Sequence, residues 1–150
     1  MKYIQCPQIY EPDKKEKSVF LAGGISNCAD WQTTLANLLK DTNLVLLNPR
    51  RKDFALNDLE MEKQQIEWEY GHLVKATATS FWFPKETLCP ITLYELGKQS
   101  VGNKPLFIGV HPEYLRNRDI HIQTKLIRPE IVITESLEEL AKQIKHWSKK

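Results

Sequence analysis

An open, doubly wound α/β fold, with about five parallel strands and helices on both faces, is what the sequence predicts. Three observations point there. Short, continuous apolar runs recur along the chain, among them "SVFLAGG", "NLVLLNP" and "KPLFIGV", and a strand that is apolar on both sides is one covered by helices on both sides. Amphipathic segments at helical spacing lie between these runs. Strand and helix alternate, which is the pattern of right-handed parallel crossovers.

The first 17 residues read as an extended arm or an edge strand ending in the charged linker "EPDKKEK", and residues 18–150 as a single domain. "SVFLAGG" is a buried strand that ends in glycines. In "DWQTTLANLLK", Trp31, Leu35, Leu38 and Leu39 recur at helical spacing behind Asp30, a suitable N-cap. "NLVLLNP" is a second strand, stopped by Pro49, which brings no N–H to a ladder. "RRKDFALND", residues 50–58, is a loop, and a long helix follows over roughly 57–75, with Ile66, Tyr70, Leu73 and Val74 as its apolar stripe. "TSFWFP" is a third strand and "KETLCP" a loop. Pro90 is placed to be the first residue of a mostly core-facing helix that runs towards Gly102. "KPLFIGV" is a fourth strand, 111–130 is irregular with one helical turn around 113–117, and "IVIT", 131–134, is a fifth strand. The last helix starts at Ser136, which forms the S-x-x-E capping-box pattern with Glu139 and leads a stripe of Leu137, Leu140, Ala141, Ile144 and Trp147.

The bulk numbers set limits. A net charge of +2 gives no electrostatic case for a nucleic-acid polymer or an anionic membrane, though a small anionic ligand fits. The longest apolar runs fall far short of the ~20 residues of a membrane span. The polar N-terminus has no signal-peptide core, so a cytoplasmic location is expected. Three cysteines, Cys6, Cys28 and Cys89, are odd in number and widely spaced, with no C-x-x-C, and the four histidines show no ligand spacing. Neither a disulfide framework nor a metal site is indicated.

In open parallel sheets ligands bind beyond the carboxyl ends of the strands. Here those ends are "AGGIS", "NPRR", "FPKET" and "GVHPEY". Gly23 and Gly24 either bring backbone N–H groups close to a ligand or make a tight strand-to-helix turn. The pattern is neither G-x-G-x-x-G nor a Walker loop, so no nicotinamide dinucleotide or nucleoside triphosphate is implied. Asn48 can bond a polar ligand and Arg50 or Arg51 a phosphate or carboxylate; the alternative is an Asx-type turn with two solvated arginines. Glu69 sits at the edge of the apolar stripe of its helix, where an unpaired carboxylate needs a partner or a purpose; the alternative is an exposed glutamate on the helix shoulder. Glu95 lies one turn after Ile91, early in its helix, where the backbone dipole favours the ionised carboxylate. Such an anion is suited to attacking or stabilising a cationic sugar carbon; the alternative is a salt bridge to Lys98 or a loop arginine. Trp82 and Phe83 are neighbours for a flat ring, or plain core. The "HPEYLRNRDIHIQ" segment is a lid, a subunit contact or a polar surface loop.

"VFLAGGI", "DWQ", "LLNPRR", "QIEWE", "FWFPKETLCPITLYELG", "KPLFIGVHPEY" and "IQT" occur in this order over roughly residues 18–140. Together they resemble the nucleoside 2-deoxyribosyltransferase-like family, most of all its branch with "PITLYELG". The resemblance implies a flavodoxin-like, broadly Rossmann-like fold and a homo-oligomer with sites near subunit interfaces. It implies cleavage of the N-glycosidic bond of a nucleoside or nucleotide without a cofactor, a glycosyl-enzyme being resolved by a free base or by water. The glutamate of "YELG", Glu95, takes the place of the family's nucleophile. "WEYGHL" places Glu69 as the acid that contacts the sugar hydroxyls, and Gly23 and Gly24 line the pocket. With Asn48 and Arg50, Trp82 and Pro90 complete the expected substrate contacts. The chain departs from many members in two places: "TLCPIT" stands where they carry an acid and glycines, and Phe20 where the transferases often have tyrosine. A non-catalytic nucleotide binder on the same scaffold is the competing expectation. A response-regulator or flavin module is disfavoured, the former by the lack of an acidic cluster after the first strand.

Overall fold

The computed structural model describes residues 1–53, 55 and 57–150. Its strands are β1 Lys2–Gln5, β2 Ser18–Gly23, β3 Val45–Asn48, β4 Ala78–Phe83 and β5 Leu106–Val110. Its helices are α1 Trp31–Leu38, α2 Leu59–Lys75, α3 Pro90–Ser100, α4 Asn117–Ile127 and α5 Leu137–Ser148. The strands form one sheet in the order β1-β3-β2-β4-β5, and every pairing is parallel. This is the flavodoxin-like α/β architecture expected.

Period-two alternation divides the central strands between two cores. Phe20 and Ala22 of β2, with Phe81 and Phe83 of β4, pack with Trp68 and Leu73 of α2, Leu96 of α3 and Ile120 of α4. Val19 and Leu21, with Trp82, pack with Trp31 and Leu35 of α1 and Leu140 and Ile144 of α5. Each buried Phe, Leu, Ile or Val among them stabilises the fold by roughly 1.5–3 kcal/mol. A one-residue slip of a strand would exchange its two sets of side chains, so the register is firmly specified.

Caps mark the helix starts. The Asp30 carboxylate accepts from Thr33 N–H, and Asp58 accepts from the N–H groups of Glu60 and Met61. The Ser136 hydroxyl accepts from Glu139 N–H, while the Glu139 carboxylate accepts from Glu135 N–H.

Three expectations need correction. "IVIT" is not a strand: it touches β5 through a single parallel bridge, Gly109 to Thr134, and Val132 is exposed. The fifth strand is instead β1, paired with β3 from Lys2–Val45 to Gln5–Asn48. The 111–130 segment is not irregular, because it holds the whole of α4. The face that α2 buries is Gln65, Trp68, His72 and Leu73, whereas Ile66, Tyr70 and Val74 are exposed. Phe54 and Leu56, in the loop expected over 50–58, lie outside the described residues.

From β2 the chain passes through α1 to β3 on one side, then returns across β2 through α2 to β4 on the other. This reversal opens a crevice at the carboxyl ends of β2 and β4. Among the described residues no helix is long and apolar enough to cross a membrane, and no group of three or more His, Cys, Asp or Glu is placed to hold a metal. Cys6, Cys28 and Cys89 are free thiols.

Candidate active site

At that crevice lies an inner pocket of about 230 Å³, walled by Phe20, Ala22, Gly23, Gly24, Cys89 and Pro90. It adjoins an outer cleft of about 750 Å³ between α2 and α3. Glu69 of α2 and Glu95 of α3 line both spaces.

The loop after β4 delivers α3 to this point. Pro90 is the first residue of the helix, and Cys89 before it takes a left-handed conformation, φ 48°, with no side-chain cap on the helix start. Proline disfavours the right-handed helical region for the residue before it, and the turn at Cys89 aims the open end of α3 into the inner pocket. Ile91 and Glu95 then share one face, both on the cleft. Among the described residues the Glu95 carboxyl has neither a hydrogen-bond partner nor an ion pair. The salt bridge to Lys98 does not form: the Lys98 ammonium sits 4.3 Å from the centre of the Tyr70 ring. Burial, and then the charge of Glu69, push the Glu95 carboxyl up to about 8, opposed by Lys98. Burial works against the ionised form that the helix dipole was expected to favour. Glu95 is the sixth residue of α3, and the dipole falls off within the first turn.

Glu69 is held differently. Its Oε1 accepts a 2.7 Å hydrogen bond from the side-chain amide of Gln65, one turn earlier. Burial raises its pKa and this bond opposes the rise. Each carboxyl makes ionisation of the other harder, so the two titrate as a coupled pair.

The glycines are needed because the backbone is crowded. A Cβ on Gly23 would stand 2.4 Å from the Trp31 ring and 2.5 Å from the Trp82 carbonyl oxygen. One on Gly24 would stand 3.0 Å from Cys89 Sγ and from Thr87. Trp31 Nε1 and Gln32 Nε2 donate to the Gly24 carbonyl at 2.8 and 3.3 Å. Both glycines also line the inner pocket.

The remaining expected contacts divide. Pro90 is on the pocket wall. Asn48 is not: it is buried, accepts from Arg50 N–H in an Asx-type turn and donates to Tyr3 Oη. Arg50 is engaged with Gln32 Oε1 and the Ala29 carbonyl, tying β3 to the β2–α1 loop. Trp82 belongs to the core on the opposite side of the sheet. Arg51 reaches the outer cleft, donating to Gln64 Oε1. Residues that sequence reasoning missed are Gln65, Cys89 and Tyr94. The helical spacing of Gln65 to Glu69 was the one available signal.

The family model described as "Nucleoside 2-deoxyribosyltransferase like" matches residues 16–114, which run from just before β2 to beyond β5 and include Glu69 and Glu95. No curated protein matches the chain.

Proposed function

The chain belongs to the nucleoside 2-deoxyribosyltransferase-like family, and on that footing we propose that it cleaves or transfers the N-glycosidic bond of a (deoxy)nucleoside or nucleotide. One observation carries this reading: Glu95, without a partner among the described residues, faces the same cleft as Glu69 at the crevice where such sheets bind ligands. The 750 Å³ of the outer cleft falls within the roughly 300–1,000 Å³ of small-molecule pockets.

The ionised Glu95 attacks C1′ and forms an ester to the sugar. The base leaves with the electron pair of the C1′–N bond and takes a proton from solvent. A second base or water then attacks C1′, gives up a proton to solvent and returns Glu95 as the carboxylate. Glu69 accepts hydrogen bonds from sugar hydroxyls. Without substrate, burial and the charge of Glu69 oppose the ionisation of Glu95. Hydroxyls donating to Glu69 disperse its charge, and that favours ionisation of Glu95 once substrate is bound. Exposed Ile66, Tyr70, Ile91 and Tyr94 rim the cleft, which supports a homo-oligomer that closes it.

The test is incubation with a panel of nucleosides and nucleotides, with and without free bases, followed by chromatography. Base release or exchange is expected, and Glu95→Ala lowers it by on the order of a thousandfold or more. Retention of most activity by that variant sinks the nucleophile assignment. A protonated Glu95 also suits a hydrogen-bond donor in a non-catalytic binder; an intact nucleotide held for hours without base release would favour that reading.

A further inference from the structure

We propose that Gln65 is a positioning residue, locked in one orientation by Cys6 and Pro49, so that Glu69 rather than Glu95 carries the negative charge of the carboxyl pair. The proposal rests on the reading of that pair as catalytic.

The hydrogen-bond inventory around Gln65 admits one orientation. The Pro49 carbonyl is only an acceptor, so the amide nitrogen faces it, at 2.7 Å. The second hydrogen of the same nitrogen goes to Glu69 Oε1, also at 2.7 Å. Gln65 Oε1 is left to face Cys6 Sγ at 3.0 Å, and there the thiol donates. Burial pushes the Cys6 thiol up to about 11, so it keeps the proton that this bond needs. The flipped amide would set its oxygen against the Pro49 carbonyl and the Glu69 carboxylate, two acceptors facing an acceptor. Gln65 is buried, so neither loss is made good by bulk water.

The three anchors come from different parts of the fold. Cys6 follows β1, Pro49 ends β3, and Gln65 and Glu69 lie on consecutive turns of α2. Glu69 Oε1 is therefore occupied by a donor, while its Oε2 has no hydrogen-bond partner among the described residues. A donor at one carboxyl, and none at the other, decides which of the two keeps the proton. The other charged or titratable groups on the cleft are Lys98 of α3, Glu62 of α2, Arg51 from the loop after β3, the tyrosines Tyr70 and Tyr94, and Cys89 in the inner pocket. Of these, Lys98 acts on Glu95 in the opposite sense to Glu69.

The experiment is a carbon-13 titration of the glutamate carboxyls in the ligand-free protein, with pH profiles of kcat/KM beside it. In Gln65→Met, Glu69 loses its donor and titrates at higher pH, while Glu95, relieved of a charged neighbour, titrates at lower pH. The acid limb of kcat/KM moves down with Glu95, and the plateau falls about tenfold as Glu69 loses its hold. A merely structural loss would lower the plateau and leave both midpoints in place. Cys6→Val moves the midpoints in the same directions by less, and carries the test should Gln65→Met fail to fold. Cys6→Ser, which keeps a donor, restores the wild-type midpoints. Unmoved midpoints in the folded variants overturn the assignment. The titration needs no turnover, so an inactive wild-type enzyme would overturn the catalytic reading while leaving this test intact.

Discussion

Burial and the neighbouring Glu69 raise the Glu95 carboxyl of the folded protein above its value in the unfolded chain. Its carboxyl is raised from 4.5 to about 8, so between these values the native state binds more protons than the unfolded state, and stability falls as pH rises. The melting temperature of the ligand-free protein should therefore decline across this window, and Glu95→Gln, neutral throughout, should flatten the decline; calorimetry at several pH values reads both. The position of Glu95 was legible in the sequence, because Ile91 one turn earlier shares its face. Its protonation was not, since that depends on burial and on a carboxyl from another helix. Alternation in "TSFWF" separates Trp82 from Phe81 and Phe83, but which side carries the cleft depends on where α1 and α2 pack. Asn48 and Arg50 sit at the right strand end, yet their polar groups are consumed by the backbone and by Gln32.

Helix α2 shows how an apolar stripe can mislead. Periodicity identified Ile66, Tyr70 and Val74, and these are exposed, Ile66 and Tyr70 on the cleft, while Trp68 and His72 face the protein. His72 stacks on Trp68 with ring centres 3.9 Å apart and accepts from Tyr10 N–H through Nε2, so the arm is fastened by a neutral imidazole. Burial lowers its pKa below the usual 6.5, a backbone bond to Trp68 opposing. This folded value is depressed, so the stability it contributes is present above about 6.5 and is lost as pH falls. His72→Phe, which removes the acceptor, should cost about 1–3 kcal/mol at pH 7 and show less further loss at pH 5 than the wild type does; urea unfolding at both values checks this. Helix α4 escaped sequence reading because its N-cap, Arg116, makes no side-chain cap and only Ile120 and Thr124 are buried. "IVIT" has the composition of a strand but bonds to the sheet only around Thr134.

At the scale of the molecule, the alternation of elements and the parallel sheet were legible because each crossover leaves its own apolar run. An edge strand was one of the two expectations for the first 17 residues, but the partner of β1 was not legible, because β3 lies beyond β2 in the chain. The apolar rim of the cleft makes its prediction here. Ile66, Tyr70 and Tyr94 are 58%, 59% and 73% exposed in the single chain, an arrangement expected of a contact surface. Light scattering should find an oligomer, and Tyr94→Glu should shift it towards monomer with loss of activity; a wild-type monomer at working concentration would refute this. The pairing of β1 with β3 also allows one order of assembly. The four strands β3-β2-β4-β5 form a contiguous sheet without the N-terminal arm, so β1 can join last and fray first, as chain ends do. Cys6 arrives with it. A chain caught before that step would already own the crevice and both glutamates, with Gln65 held by Pro49 and Glu69 but still lacking the thiol that satisfies its oxygen.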